Sequence, residues 1–420
     1  MKHILKKLSR HVKAYGIRET VAVANQRLKD AKEAKKDAFA NPTTPSVTQS
    51  ILQPKRDVIG FYGDIFGHDH GDLSELKAAK VGKDTIQWVI PNFGFGSGGH
   101  LNIFRFINAL SKRGMKQNIV ILPPYNWKTA EAAAKAIKDW YFELDAEVSL
   151  GVEGFKPAHY TFATGWQTAY WVSKYQATHE KFYFVQDFEP SFYTVSSEYY
   201  FAEKTYELGL KGITAGSWLE KKLSKEYGME CGSVSFSYDR HLYKPLPKKE
   251  SANFNILFYS RHVTPRRLFE LGLCALEKVC AKHPEVAVIF AGGDVSGFKI
   301  PFHHLNAGEL SLEELPDLYS QSDLALVLSG TNLSLLPLEV AACKCPLVMN
   351  DTPSSRWLLP KSAAYYAGTS PDEMADTISK AILDEKGRAR KVKAAYKIAQ
   401  ESSWDKEVDK FMKLLGEMSA

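Results

Sequence analysis

A chain that alternates apolar, strand-like runs with amphipathic, helix-like runs, and does so twice, is confined to a narrow set of folds. From about residue 84, IQWVIPNF reads as a buried strand and HLNIFRFINALSKRG as an amphipathic helix. QNIVILPP and the alanine-rich TAEAAAKAIKDWYF repeat the pair, and KFYFVQDF and GITAGS bracket SSEYYFAEKTYELG in the same way. Strands joined through helices run parallel, and a parallel sheet needs helices on both faces. The polar, proline-bearing PLPKKESANF at 245–254 interrupts the pattern, which restarts with NILFYSR, VAVIFAGG, DLALVLS and PLVMND as strands. The expected architecture is α/β, with two doubly wound Rossmann-like domains facing a cleft and ligands held where the strands' carboxyl ends open into it. The divisions read as 1–80, a basic helical N-terminal extension and linker; 81–245, the first domain; 246–400, the second; and 401–420, a helix packing back on the body.

Composition supports two cores and narrows the partners. Of 420 residues, 45% are hydrophobic and 12% aromatic, which excludes a disordered or fibrous chain. A net charge of +6 suits an anionic ligand or surface and falls short of a nucleic-acid signature. The five cysteines form no regular framework, and the Cys343/Cys345 pair lacks partners of metal spacing, so reduced thiols are expected. No run approaches the ~18 apolar residues of a membrane span. MKHILKKLSRHVKAY is basic but develops no apolar signal-peptide segment, so a cytoplasmic protein is expected. Within residues 1–40, Ile4, Leu5, Leu8, Val12 and Tyr15 make one apolar stripe among Lys2, Lys6, Lys7, Arg10 and Lys13. Such a helix suits peripheral contact with the inner face of an anionic membrane, or docking on the body with a solvated basic face.

Three segments carry candidate chemistry. FGFGSGGH, between a strand and a helix, spells G-x-G-x-x-G through Gly94, Gly96 and Gly99. The dinucleotide reading wants an acid about 20 residues on, at the end of the next strand. That strand ends in Ile121, Leu122, Pro123 and Pro124, so Gly98 and Gly99 instead suit a diphosphate approaching across a cleft, or a plain tight turn. His100 at the helix start is placed to donate to a phosphate or sugar hydroxyl, or to cap the turn.

In SRHVTPRRLFELG, Arg261 closes a strand, and Arg266 and Arg267 are expected to open the next helix, three planar cations suited to a diphosphate. SGTNLSLLPLEVAACKCPLV then places Thr331, Ser334 and Leu335 ahead of a helix carrying Glu339. A carboxylate amid PLEVAA is expensive to bury unpaired, and ribose hydroxyls or an arginine are expected to satisfy it. In FVQDFEPSFY, Asp187 and Glu189 stand two apart at a strand's end, so on a continuing strand both would face the cleft as candidate catalytic carboxylates. His303 and His304 are adjacent, which argues against metal ligation, and no metal or cofactor is called for.

Taken with SYDRHLYKP, these segments resemble GT-B-fold glycosyltransferases of the family 4 type, especially their rhamnosyltransferase branch. SGGH at 97–100 is similar to the loop that opens the family's first domain. Arg261 with Arg266 or Arg267, and PLEVAACKCPLV at 337–348, are similar to its nucleotide-binding segments. The resemblance covers residues 84–420. It implies a nucleoside-diphosphate sugar donor bound by the second domain, a glycan or lipid-linked glycan acceptor entering past Asp187 and Glu189, and retention of configuration without metal. The family's E-x7-E is broken here, because its first position is Thr331. The T-N-x-S-L-x-P-L-E form is similar to the branch that uses a deoxy-sugar, which points to dTDP-L-rhamnose. A sugar-nucleotide 2-epimerase and a non-catalytic glycan-binding protein remain as alternatives of the same fold.

Overall fold

A computed structural model describes residues 57–67, 81–333 and 335–419. The basic helix expected within 1–40 lies outside the described residues, as do most of the 1–80 extension and Ser334. The described residues from Gly60 onward form one compact unit.

Within that unit two sheets account for the repeated alternation. The first contains β1 (Thr85–Ile90), β2 (Lys116–Ile121), β3 (Glu147–Leu150), β4 (Ala158–Ala163), β5 (Thr178–Val185), β6 (Lys211–Ala215) and β7 (Cys231–Val234). Their order across the sheet is β3-β2-β1-β4-β5-β6-β7. The second contains β8 (Phe254–Tyr259), β9 (Val286–Ala291), β10 (His304–Gly308), β11 (Leu324–Val327), β12 (Leu347–Asn350) and β13 (Tyr365–Ala367), in the order β10-β9-β8-β11-β12-β13. Neighbouring strands pair in parallel in both sheets. Strand order reverses between β1 and β4 and again between β8 and β11. Loops on the two sides of such a switch point diverge and leave a crevice at the carboxyl ends.

The first core explains why β1 reads as a continuous apolar run. Trp88 is fully buried and stacks on Phe162 of β4 with ring centroids 4.5 Å apart. Gln87, the polar residue beside it, is also buried, and its Oε1 accepts from Asn118 Nδ2 at 3.0 Å and from the Lys156 amide at 2.8 Å. A buried polar side chain is tolerated in a central strand when paired in this way.

The helix Trp404–Met418 belongs to the first sheet although it follows the second in the chain. Val408, Phe411 and Leu415 join the first core, and the Phe411 ring lies 6.0 Å from Trp88. Arg113 ties the helix down through Asp405 at 3.2 Å and Asp409 at 2.9 Å. On another side of the first sheet, Tyr62 and Phe66 of the helix Val58–Phe66 pack edge-on against Phe201.

Candidate functional site

The glycine loop leaves β1 and turns into the helix Gly98–Ser111. Only Gly96 in this loop has a positive φ, at 73°, so the turn itself requires one glycine. A Cβ on Gly98 would meet open space, and one on Gly99 would make ordinary contact with Gln186 at 3.5 Å. The Ser97 hydroxyl does not cap the helix; it lies 2.8 Å from His100 Nδ1. The first intrahelical bond runs from Leu101 N to Ser97 O, which leaves the Gly98, Gly99 and His100 amides directed out of the helix start. His100 itself is held neutral: burial pulls its pKa down to about 4, against the opposing pull of the Pro91 carbonyl. Its ring faces Phe93, with centroids 6.0 Å apart.

The arginines of the second domain sit differently from expectation. Arg266 and Arg267 do not open the helix; they occupy a one-turn 3-10 segment, Pro265–Arg267, and left-handed Leu268 (φ 53°) separates it from the helix Phe269–Lys282. Pro265 fixes the turn's entry, and the Gly330 amide donates to the Arg266 carbonyl at 2.7 Å, stitching this turn to the one after β11. Arg267 donates to Ser329 Oγ at 3.1 Å. Arg266 reaches the first domain, where its guanidinium lies 4.2 Å over the Phe192 ring and its Nε 3.8 Å from Asp187 Oδ2. Burial lowers the Arg266 pKa first, the Asp187 charge opposes, and the nearby Arg267 and Arg261 charges lower it further. Two arginines thus share one turn, within reach of the Arg261 charge, with one carboxylate beside them.

Asp187 is the pivot between the domains. It is 9% exposed. Its Oδ1 accepts from the Phe188 and Asn332 amides, both at 2.8 Å, and its Oδ2 from Thr331 Oγ1 at 2.8 Å. Burial raises its pKa, and the bonds from Asn332 and Thr331 and the charges of Arg266 and Arg267 pull the other way. Beside it, Gln186 Nε2 donates to the Gly99 carbonyl at 3.0 Å, and Asn332 Nδ2 donates to the Gln186 carbonyl at 2.9 Å. Residues 186–187 therefore connect the glycine loop to the arginine turn.

Glu189 departs from the expected arrangement. β5 ends at Val185, and Glu189 begins a 3-10 turn, so the two-residue alternation that would align it with Asp187 is lost. Its carboxylate turns into the first domain, where it accepts from the Trp166 amide and the Tyr183 hydroxyl, both at 2.7 Å. Burial pushes its pKa up to about 7 despite those two bonds. It thereby caps the helix Trp166–Lys174 from within the core.

Glu339 lies on the helix Leu336–Ala342, with Leu335 at its N-cap. Burial pushes its pKa up to about 7, opposed by the charge of Arg105 and a hydrogen bond with Tyr243. Arg105 comes from the glycine-loop helix of the first domain and rests 5.2 Å over the Trp404 ring. The expectation that an arginine attends Glu339 is met by a residue that spacing did not single out, because Arg105 reads as one polar position on an amphipathic helix. Asn332 was likewise not singled out, since its role exists only where the domains meet.

Two parallel sheets facing each other through their carboxyl ends, with a C-terminal helix returned to the first, define the GT-B fold of glycosyltransferases, as the sequence resemblance implied. Residues 254–379 match the family described as WsaF, C-terminal domain. The chain is 30% identical over 351 residues to the O-antigen biosynthesis protein RfbC of Myxococcus xanthus, which corresponds to 81% of this chain and 28% of that protein. It therefore spans less than a third of that relative. Among solved structures it is similar to HepE of Anabaena in complex with UDP and glucose, with a TM-score of 0.61 and 15% identity over 79% of this chain and 99% of that one. Sucrose-phosphate synthase of Thermosynechococcus elongatus gives a TM-score of 0.60 and 12% identity over 80% and 98%. At these identities the two structures speak to the fold.

Proposed function

We propose that this chain is a glycosyltransferase of glycan biosynthesis that transfers a sugar from a nucleoside-diphosphate donor to a cell-surface glycan acceptor. The observation that carries this reading is that Arg266 and Arg267 share one turn within reach of the Arg261 charge, with Asp187 the carboxylate in contact. Like charges gathered this closely raise each other's energy, and a diphosphate relieves the repulsion. Two further features support it. The Gly98–Gly99 helix start offers outward-facing amides, and Glu339 suits a pentose hydroxyl of the nucleotide, which in dTDP is the 3′-hydroxyl.

The donor in this reading is dTDP-L-rhamnose, and the transfer retains configuration. The acceptor hydroxyl attacks the anomeric carbon from the face the diphosphate leaves, and its proton passes to the departing phosphate oxygen. One glycosidic bond forms as the sugar–phosphate bond breaks, and the nucleoside diphosphate leaves. The arginines supply the positive charge that stabilises the leaving group, so no metal is required. Asp187 orients the reacting hydroxyls. RfbC, named for O-antigen biosynthesis, and HepE, solved with UDP and glucose, are consistent with this class of reaction.

The test is a thermal-shift panel with dTDP, UDP, GDP, ADP and NAD on the wild type and Glu339→Gln. Ligand at about 100 times its dissociation constant adds roughly 2.7 kcal/mol of stability. The largest shift is expected with dTDP, reduced in the variant. A UDP-specific shift would retain the transferase and replace its donor, and silence across the panel would overturn the reading. Incubating donor without acceptor separates an epimerase, which converts the donor sugar by itself.

A further inference from the structure

One carboxamide joins the strand ends of both domains. Asn332, 2% exposed, lies in the turn after β11. Its Nδ2 donates to the Gln186 carbonyl at 2.9 Å, just beyond β5, and to the Ala215 carbonyl at 2.8 Å, the last residue of β6. Its Oδ1 accepts from Trp357 Nε1 at 2.7 Å and from the Leu333 amide at 3.0 Å. Its own amide donates to Asp187. Both donors and both acceptor positions of the side chain are thus engaged.

The surroundings admit no easy substitute. Aspartate would set a carboxylate against two carbonyl oxygens and the Asp187 side chain, and an apolar residue would leave two carbonyls and an indole unpaired. Trp357 is itself fixed against Gly216, where φ is 89° and an added Cβ would come within 2.6 Å of the ring. The junction is therefore tight on both sides.

We propose that Asn332 is a positioning residue of the transfer site: through its bonds to Gln186, Ala215 and Trp357 it fixes Asp187 of the first domain beside Arg266 of the second. This rests on the function proposed above, which makes Asp187 and Arg266 parts of one site. It deepens that reading by separating two tasks. Nucleotide is held mainly by second-domain residues, whereas turnover depends on the register between the domains. Loosening the junction therefore lowers turnover and spares nucleotide binding.

The test uses the full chain carrying Asn332→Asp, which keeps the shape and removes two donors, or Trp357→Phe, which removes one donor to the amide oxygen. Acceptor-independent hydrolysis of dTDP-L-rhamnose and of UDP-glucose is followed as release of dTDP or UDP. Asn332→Asp is expected to lower kcat at least about tenfold with KM changed less than about threefold, and Trp357→Phe to act in the same direction less strongly. Unchanged kcat, or a loss confined to KM, overturns the proposal. Hydrogen exchange at the Asn332 and Phe188 amides, which both donate to Asp187, gives a second readout free of activity. Faster exchange in both variants is expected, and unchanged protection overturns the junction. If the wild type neither binds nor hydrolyses nucleotide, the transferase reading fails while the exchange experiment still decides the junction.

Discussion

Thr331 Oγ1 of the second domain donates to Asp187 Oδ2 of the first at 2.8 Å, and the Arg266 Nε stands 3.8 Å from the same oxygen. The position at which the resembled E-x7-E pattern carries an acid is thus occupied by a hydroxyl that binds an acid from across the cleft. A carboxylate is present at that point of the site, supplied by the other domain.

Asp187→Asn keeps the size of the side chain and removes its charge. Turnover is expected to fall about 100-fold, the scale set by misplacing reacting groups. Affinity for free nucleoside diphosphate should hold or tighten, because Arg266 loses a competing anion. Thr331→Val leaves Asp187 one bond short, which costs about 1–3 kcal/mol when a buried acceptor goes unpaired. Steady-state kinetics with calorimetric titration of dTDP checks the first and urea denaturation the second, and a parallel loss of nucleotide affinity in Asp187→Asn would count against the assignment.

If Glu339 holds the nucleotide as proposed, nucleotide binding depends on pH. Its carboxyl titrates near 7 in the folded protein against an ordinary 4.5, because of burial. In the proposed site the 3′-hydroxyl of dTDP would donate to the ionised form, so binding would release a proton and affinity would rise with pH. Between pH 6 and pH 8 the ionised fraction grows by about an order of magnitude, and dTDP affinity is expected to follow it about tenfold. Glu339→Gln should bind weakly and without that slope. A slope of equal size in the variant would assign the proton elsewhere.

What could be read from the sequence followed from local periodicity. Apolar runs such as IQWVI and NILFY located β1 and β8, and the break at 245–254 separated the two sheets. Clustered chemistry was also visible, because Arg261, Arg266 and Arg267 are close in the chain. Side-chain direction was not. Glu189 points inward because β5 stops at Val185, and no spacing rule marks where a strand gives way to a 3-10 turn. Arg266 and Arg267 precede the helix because Leu268 adopts a left-handed conformation that a leucine rarely takes. Gln186, Asn332 and Arg105 acquire their roles through contacts between residues more than 80 positions apart, where sequence patterning carries no signal.

Glu189 should leave a signature in stability rather than in turnover. Its pKa is raised by burial from 4.5 to about 7, so the folded state retains a proton that the unfolded chain releases. Below pH 4.5 both states are protonated and the group contributes no slope. Between pH 4.5 and 7 stability falls as pH rises, by about 3 kcal/mol at 1.36 kcal/mol per pKa unit, and it is level above that. Glu189→Gln removes this slope and also loses one of the bonds to Trp166 N or Tyr183. The variant is therefore expected to be less stable than wild type at pH 5 and closer to it at pH 8, by urea denaturation. A constant difference across that range would show that Glu189 does not titrate there.

Gly98 separates a ligand role from a folding role in the glycine loop. It opens the helix Gly98–Ser111, has no positive φ, and a Cβ built on it meets nothing within 4 Å. Gly98→Ala is therefore expected to fold normally, with a Tm at or above that of the wild type, since alanine in a helix is favoured over glycine by roughly 0.5–1 kcal/mol. Gly96→Ala, at φ 73°, should instead lower Tm through backbone strain of about 1 kcal/mol. If the loop closes on a diphosphate, the new methyl at position 98 stands between it and the open amides, and the dTDP-induced shift should shrink although the protein is no less stable. A Gly98→Ala protein with a full nucleotide shift and full turnover would return the loop to the role of a plain turn, and would move the diphosphate wholly onto the arginines.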